Sequence, residues 1–369
     1  MRPQLPRAYD LLPYLHAIDT TRFYSNHGPL SVELGRRLAE LFRLPANAVA
    51  CTSSGTAAIA AAIFATAGRA RLERPFALLP AFTFVATAAA VEQCGYRPYL
   101  ADIDAKTWML DPDRLAAYPL LGRIGLIVPI APFGRPVPQQ PWQEFARKTG
   151  IPVVIDGAAG IEACIATPDR TIGPLPVALS FHATKTFSTG EGGAVVTSDT
   201  ALAARVLQTI NFGFYGTRDS QMASFNGKMS EYHAAVGLAE LDRLELKLAA
   251  FREVADHYRQ LMCEAKLSDS FFGWPETSSN YALFLCRSSR EAAAVEASLD
   301  HSGIDFRLWY GTGLHRHSYY RDAARGELSN TETLAPRLLG VPVAPDLDEG
   351  DIRRVVAAIA NGVTMTTGL

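Results

Sequence analysis

Short apolar runs alternate with helical patterns along the first 200 residues. The runs predict seven strands, at residues 48–51, 76–79, 97–101, 124–130, 151–155, 176–181 and 194–197. Segments with helical spacing or many alanines lie at residues 32–42, 57–67, 85–93 and 141–149. Strands separated by helices of this length predict a mostly parallel sheet with helices on both faces. We therefore expect an α/β large domain over residues 1–240, with a seven-stranded type of sheet and a proline-rich N-terminal segment.

The pattern changes near residue 229. A helical pattern runs without a break from 229 to about 264 and predicts one long helix that joins two domains. Beyond it lie predicted strands at 281–286 and 305–309 and predicted helices at 290–301 and 351–362. These elements predict a smaller C-terminal α+β domain over residues 241–369.

Composition and charge exclude several classes of protein. Hydrophobic residues make up 48% of the chain and charged residues 20%, and the net charge of −2 gives no electrostatic basis for binding nucleic acid or an anionic membrane. No apolar run approaches the ~18 residues that span a bilayer, and prolines and Asp10 interrupt the N-terminus where a signal peptide needs an apolar core. We therefore expect a cytoplasmic protein. The cysteines are scattered and form no CxxC pair, so neither disulfides nor a metal site is predicted.

Residues that could bind a ligand or take part in a reaction follow four of the predicted strands. TSSGT at 52–56 follows the first strand, PAFTF at 80–84 the second, Asp156 the fifth and Lys185 the sixth. In parallel sheets, ligands gather beyond the carboxyl ends of the strands. We therefore expect these residues to share one site.

Lys185 is the residue around which this site is predicted. Most lysines are solvated surface charges, and that is the ordinary interpretation of a lysine taken alone. Lys185, however, stands between a buried-looking strand and the glycine-rich turn GEGG, which carries Glu191. An amine in that position suggests chemistry with a carbonyl, as in the lysines that bind pyridoxal 5′-phosphate (PLP) through a Schiff base.

PLP also needs an acid beside its ring nitrogen, a flat side chain against its ring and a cradle for its phosphate. Asp156 can supply the acid, because a carboxylate stabilises a cationic ring. Residues 53–56 begin an alanine-rich helix and offer free N–H groups to a phosphate, with Ser180 as a further donor. Phe82 or Phe84 can lie against the ring. Taken singly, these residues have ordinary interpretations as helix caps, satisfied hydroxyls or core aromatics.

Seven segments, in this order, resemble the DegT/DnrJ/EryC1/StrS family of PLP-dependent sugar aminotransferases. They are YSNHGPL, SSGTAAI, PAFTFVAT, VVIDGAA, SFHATKTFSTGEGG, FNGKMSEYHAAVGLAEL and GLHRHSYY. The resemblance implies PLP fold type I, as in aspartate aminotransferase. It also implies a homodimer whose active sites lie at the subunit interface.

Matching positions imply roles for the cofactor-binding residues. Lys185 would form the Schiff base and carry protons, Asp156 would pair with the ring nitrogen, and Phe84 would stack on the ring. The phosphate would be held by Gly55, Thr56 and Ser180, and by Asn226 of the partner subunit.

At the positions expected to bind substrate, the sequence departs from the residues common in the family. His315 would lie towards the sugar nucleotide, and Glu191 and Lys228 are further candidates for substrate binding. Lys228 stands where an arginine is common, so a point charge replaces a planar fork. Ala159 stands where many members have glutamine or histidine, and Ala131 where histidine is frequent.

The expected reaction moves an amino group from glutamate to a nucleotide-linked keto-sugar, with a 4-keto-6-deoxyhexose as the expected substrate and pyridoxamine phosphate as the intermediate form of the cofactor. Such a reaction belongs to the synthesis of deoxyamino sugars found in lipopolysaccharides or antibiotics. An aminocyclitol aminotransferase is the alternative within the family. A sugar dehydratase would have histidine in place of Lys185. A binding or regulatory protein without catalysis is the alternative of another class.

Overall fold

A central sheet organises most of the chain in the computed structural model, which describes residues 3–367. Its main strands are β1 Val49–Thr52, β2 Phe76–Pro80, β3 Arg97–Ala101, β4 Ile124–Ile127, β5 Ile155–Asp156, β6 Val177–Ser180 and β7 Gly193–Val196. Bridges from Ile127 to Val153 and from Ile130 to Asp156 join β4 to β5, which gives the order β3-β2-β4-β5-β6-β7-β1.

The neighbouring strands from β3 to β6 are parallel, and β7 runs antiparallel between β6 and β1. The carboxyl ends of β1, β2, β4, β5 and β6 therefore meet along one edge of the sheet. This arrangement confirms the predicted α/β fold with a mostly parallel sheet.

Helices cover both faces of the sheet. Those of the first 210 residues are α1 Ala8–Thr21, α2 Pro29–Leu41, α3 Gly55–Thr66, α4 Val85–Gln93, α5 Pro112–Ala116, α6 Gln139–Thr149, α7 Ile161–Ala166, α8 Pro168–Thr171 and α9 Thr200–Ile210. One core contains buried side chains of α2 and α6, such as Leu38 and Trp142, and the other contains those of α3 and α9, such as Ile63 and Val206. The alanines of α3 let it pack closely on all sides, and nine consecutive residues of this helix are buried.

The C-terminal third forms a smaller unit and then returns to the large sheet. Its helices are α10 Glu231–Asp242, α11 Leu244–Glu264, α12 Ser289–His301, α13 Ser329–Leu334 and α14 Glu349–Thr367. Its strands are β8 Phe271–Phe272, β9 Ala282–Leu285 and β11 Leu338–Val341, in the antiparallel order β11-β9-β8, and β10 Ala324–Arg325, which pairs with β3. Helix α11 starts in the core of the large sheet, at Leu244, and ends in the core of the small sheet, at Met262. The domain division predicted at residue 240 stays a prediction.

Three features differ from the sequence-based expectation. The long helix breaks at Arg243, whose φ of −120° and ψ of 4° leave the helical region. Side-chain periodicity continues across such a break, so the pattern alone could not locate it. The predicted strand at 305–309 is reduced to one bridge, between Arg307 and Gly340.

The proline-rich N-terminal segment contains a helix, α1, which was not predicted. Pro13 lies within this helix, and a 2.5 Å hydrogen bond from Tyr14 to Asp242 anchors it.

Aromatic side chains join the small unit to the large one. Phe82, Trp108 and Phe133 from the large domain share a buried cluster with Tyr281 of the small unit. The ring of Phe133 lies edge-on to that of Tyr281, with 5.5 Å between centroids. This contact brings the small unit against the carboxyl edge of the sheet. Within residues 3–367, every helix is too short or too polar to cross a membrane.

Candidate active site

A cavity of about 670 Å³ lies at the carboxyl edge of the sheet. Its walls are formed by the segments that follow β1, β2, β4, β5 and β6, and by residues 306–310 of the small unit. The volume is in the range of sites for cofactors and small substrates. The strand-end residues predicted to meet here do meet, since the lining includes Gly55, Thr56, Phe84, Asp156, Ser180 and Lys185. Glu191, from the glycine-rich turn before β7, also lines the cavity.

Lys185 is half-buried in the loop between β6 and β7. Its ammonium nitrogen Nζ donates a hydrogen bond of 3.3 Å to the hydroxyl of Tyr281. Its backbone N–H donates to the carbonyl of His182, at 2.8 Å, which tightens the turn that presents the side chain. The amine therefore has a defined place in the cavity.

Asp156 is buried at the end of β5, with 7% of its surface exposed. Its Oδ2 accepts from the hydroxyl of Thr87 at 2.7 Å, and its Oδ1 accepts from the N–H of Ala158 at 3.0 Å. Burial raises the pKa of the Asp156 carboxyl, and these hydrogen bonds and the charge of Lys185 act in the opposite direction. A buried carboxylate of this kind favours a cationic partner in the cavity.

The first turn of α3 and the end of β6 form a tight cradle. Ser54 caps the helix by accepting from the N–H of Ala57 at 3.0 Å, while the first N–H groups of any helix have no acceptor within it. Gly55 and Thr56 contribute those groups at the cavity wall. A Cβ at Gly55 would lie 2.6 Å from the Cβ of Ser180, so glycine is required for this approach. Helix N–H groups and hydroxyls together suit a phosphate dianion.

Part of the cavity wall is apolar. Ala131 and Ala159 both line it and present only methyl groups. Phe84 is 57% exposed at its rim. Glu191 is also exposed, and its carboxylate lies 3.9 Å from the Nε2 of His182.

Three predicted residues lie outside the lining of this cavity. Asn226 is exposed and bridges Asn211, and the Lys228 ammonium lies 4.3 Å from the centre of the Phe212 ring. His315 is 5% exposed, and its Nε2 lies 3.3 Å from a carboxylate oxygen of Glu332. The substrate and cross-subunit roles of these three residues stay predictions.

Two side chains of the site were missed from sequence. Thr87 lies one helical turn beyond Thr83 and hydrogen-bonds both Thr83, at 2.8 Å, and Asp156. Thr87 lies inside the aromatic segment PAFTFVAT. Its position four residues after Thr83 is the feature of the sequence that indicates contact between the two side chains. Tyr281 is 96 residues beyond Lys185. Nothing local to its sequence indicates that contact.

A lysine and a buried aspartate at the carboxyl edge of such a sheet are groups that suit a PLP-dependent enzyme. The profile of the DegT/DnrJ/EryC1/StrS aminotransferase family matches residues 9–360, and the chain belongs to that family.

Relatives cover nearly the whole chain. Protein Rv3402c of Mycobacterium tuberculosis (strain ATCC 25618 / H37Rv) is 35% identical, over 97% of this chain and 88% of its own length. The dTDP-4-amino-4,6-dideoxy-D-glucose transaminase of Shigella dysenteriae is 27% identical, over 97% of both chains. The crystal structure of DesI, determined in the presence of its TDP-sugar product, superposes with a TM-score of 0.85 at 30% identity, over 99% of this chain and 93% of DesI.

The residues present fit PLP. The amine of Lys185, the buried carboxylate of Asp156 and the cradle at Gly55 match the aldehyde, the ring nitrogen and the phosphate in chemical character. Within residues 3–367, no group of three or more His, Cys, Asp or Glu side chains is arranged to hold a metal ion.

Replacing Gly55 by alanine tests the cradle. The added Cβ meets Ser180 at 2.6 Å, so the helix start and β6 must separate. Because overpacking costs roughly 1–3 kcal/mol and moves apart the groups that would hold the phosphate, we expect PLP to bind about 5- to 150-fold more weakly. Titration of the protein with PLP, followed by absorbance, measures the change. Gly122→Ala is the control, because its Cβ would meet nothing within 4 Å. Equal affinity of the two variants would contradict the cradle.

Replacing Asp156 by asparagine should stabilise the protein without cofactor. Burial raises the pKa of Asp156 in the folded chain, so the stability linked to this group is complete below its unfolded pKa of about 4 and is lost as the pH rises through the folded value. We expect Asp156→Asn to unfold at a higher temperature than the parent protein at about pH 7–8, with the difference disappearing near pH 4. Thermal unfolding across this range checks it. Exposed Asp169 provides the control Asp169→Asn. A lower midpoint for Asp156→Asn at neutral pH would sink the prediction.

Proposed function

We propose that this aminotransferase moves an amino group from glutamate to a nucleotide-linked keto-sugar, with a 4-keto-6-deoxyhexose as the substrate. The observation that carries the proposal is the presence of Lys185 and buried Asp156 in one cavity of about 670 Å³. The names of the Shigella relative, with its 4-amino-4,6-dideoxy sugar, and of DesI, with its TDP-sugar product, support the class of acceptor.

Bound PLP supplies a carbonyl for the amino group and a ring that withdraws electrons from the reacting carbon. Lys185 is the proton carrier in this proposal. Its amine lines the cavity and would become free to accept a proton when a substrate amine replaced it on PLP. Asp156 keeps the ring nitrogen protonated, because its carboxylate is buried and a cation offsets that burial. Gly55, Thr56 and Ser180 anchor the phosphate. Donor and acceptor would use the same cavity in turn, which gives ping-pong kinetics.

The protein is also proposed to act as a homodimer. Phe212 and Tyr215 are 45% and 65% exposed, close in sequence to exposed Asn226. Burial lowers the pKa of Lys228, and burial together with the charge of Lys228 lowers the pKa of His27. This group of aromatic and basic side chains lies outside the chain's own cavity, as expected if it completes the cavity of a partner.

Substitution of Lys185 tests the reaction. We expect Lys185→Arg to retain the positive charge but lose the visible absorption of covalently bound PLP and at least about a thousandfold of turnover. The assay incubates the protein with glutamate and a panel of nucleotide-linked keto-sugars and ketocyclitols, with product identification by mass spectrometry and NMR. Lys148→Arg, at an exposed position on α6, is the control and should behave as the parent protein. Full turnover by Lys185→Arg would end the proposal, and turnover of ketocyclitols alone would replace the acceptor.

Mixing two inactive variants tests the shared site. Lys185→Ala and Asn226→Ala should each form defective homodimers, while a mixed dimer carries one site free of both changes. Random reassociation should therefore restore about a quarter of the parental activity. Mixing Lys185→Ala with Asp156→Asn is the control and should restore nothing, since both residues line the same cavity of one chain. The absence of recovery in the first mixture would contradict the cross-subunit role of Asn226.

A further inference from the structure

Four consecutive residues of the small unit form hydrogen bonds with the loops around the active site. Residues 278–281, called here the 278–281 turn, precede β9 and are closed by a 2.9 Å hydrogen bond from the N–H of Tyr281 to the carbonyl of Ser278. The Ser278 N–H donates to the carbonyl of Phe133 at 2.9 Å, and its hydroxyl donates to the carbonyl of Ala159 at 2.5 Å. The turn is therefore fixed to the loops after β4 and β5.

The other end of the turn is fixed to the lysine segment. The side-chain amide of Asn280 donates from Nδ2 to the carbonyl of Thr184 at 2.9 Å. The hydroxyl of Tyr281 accepts from the Nζ of Lys185 at 3.3 Å. Two adjacent residues of the turn thus bind two adjacent residues of the loop that presents the amine.

A buried carboxylate, that of Glu162, connects the 278–281 turn to a third residue of the lysine loop, Thr186. Oε1 of Glu162 accepts from the N–H and hydroxyl of Ser279, both at 2.9 Å, and from the hydroxyl of Thr186 at 2.8 Å. Residues 184, 185 and 186 are therefore held by Asn280, Tyr281 and Ser279, the last through Glu162. Contacts to three consecutive residues restrict the loop more than a single bond would.

These groups are expensive to bury. Glu162 is 3% exposed, and burial raises its pKa despite the three hydrogen bonds. Its Oε2 and the Oδ1 of Asn280 are buried without a hydrogen-bond partner among the described residues. Stability alone would favour apolar residues here, because an incompletely satisfied polar network is worse than an apolar core. Their polar character is therefore better explained by the position that they impose on Lys185.

We infer that the 278–281 turn is a positioning element for Lys185, and that the hydroxyl of Tyr281 holds the lysine amine at the point from which it attacks the cofactor carbonyl. In that step the Lys185 ammonium first gives one proton to solvent, and the neutral amine adds to the aldehyde carbon of PLP. The two remaining amine hydrogens leave with the aldehyde oxygen as water, and a C=N bond forms without any change of oxidation state. The same contact receives the amine whenever a substrate amine displaces it. The inference rests on the PLP-dependence of the enzyme and is independent of which sugar it uses.

Tyr281→Phe tests this inference by removing one oxygen and retaining the ring that packs on Phe133. The readout is stopped-flow absorbance as PLP is added to the full-length protein without cofactor, with no amino donor or sugar present. We expect the first-order rate constant at saturating PLP to fall about three- to tenfold, as for the loss of one hydrogen bond. The half-saturating PLP concentration should stay within about twofold, because the phosphate cradle is untouched. Asn280→Ala, which releases the carbonyl of Thr184, should slow the same step.

Tyr258→Phe is the matched control. It removes the hydroxyl of a fully buried tyrosine of the small unit that donates to the carbonyl of Pro342, away from the cavity. It should load PLP at the parental rate even though it loses a buried hydrogen bond. A parental rate constant in Tyr281→Phe overturns the inference. So does a rise in half-saturating PLP by the same factor as the fall in rate, which would indicate general disturbance of the site. Because no sugar is present, neither result depends on the proposed acceptor.

Discussion

The buried carboxylate of Asp156 is the constraint on which the rest of the active site depends. A carboxylate loses most of its hydration when only 7% of it is exposed, and two hydrogen bonds, from Thr87 and Ala158, offset only part of that loss. A cation is the effective compensation. Asp156 lies at the end of β5, where the charge of Lys185 opposes the effect of burial on its pKa. In the proposed function, a protonated PLP ring would supply that positive charge when the cofactor is bound. The fold thus retains a destabilising group because the chemistry needs it.

The second requirement is a lysine whose position does not depend on a flexible loop alone. The loop after β6 is connected at one end to the cradle through Ser180, and its middle is hydrogen-bonded by the small unit. Loops at the edge of a sheet are ordinarily the mobile part of such folds. Contacts from a second unit convert this one into a wall of the cavity, so docking of the small unit and presentation of the amine are linked.

Sequence patterns located the residues that follow strands, because strand periodicity and parallel topology are local rules with a geometric consequence. Asp156, Lys185 and the helix start at Gly55 could be assembled on that basis, and the structure brings them together. Tyr281 could not be found in this way. Its contact joins two residues that are 96 positions apart, on different units, and depends on how those units dock. The break at Arg243 was missed for another reason, since one residue's backbone angles leave no mark on side-chain periodicity.

The same distinction separates the cofactor from the substrate. Of the groups proposed to hold PLP, Lys185, Asp156 and the cradle at Gly55 come from strand ends of one chain and are buried or half-buried, so their positions follow from the sheet. The rest of the lining includes the methyl groups of Ala131 and Ala159 and the exposed side chain of Glu191, which is a candidate for substrate binding. Methyl groups set the shape of a pocket but make no hydrogen bonds, so they discriminate only weakly between one hydroxyl configuration and another. In the proposed function, strong discrimination among keto-sugars would therefore need polar groups at the rim, in the small unit or in a second chain, and these can vary without disturbing the contacts of Asp156 and Lys185.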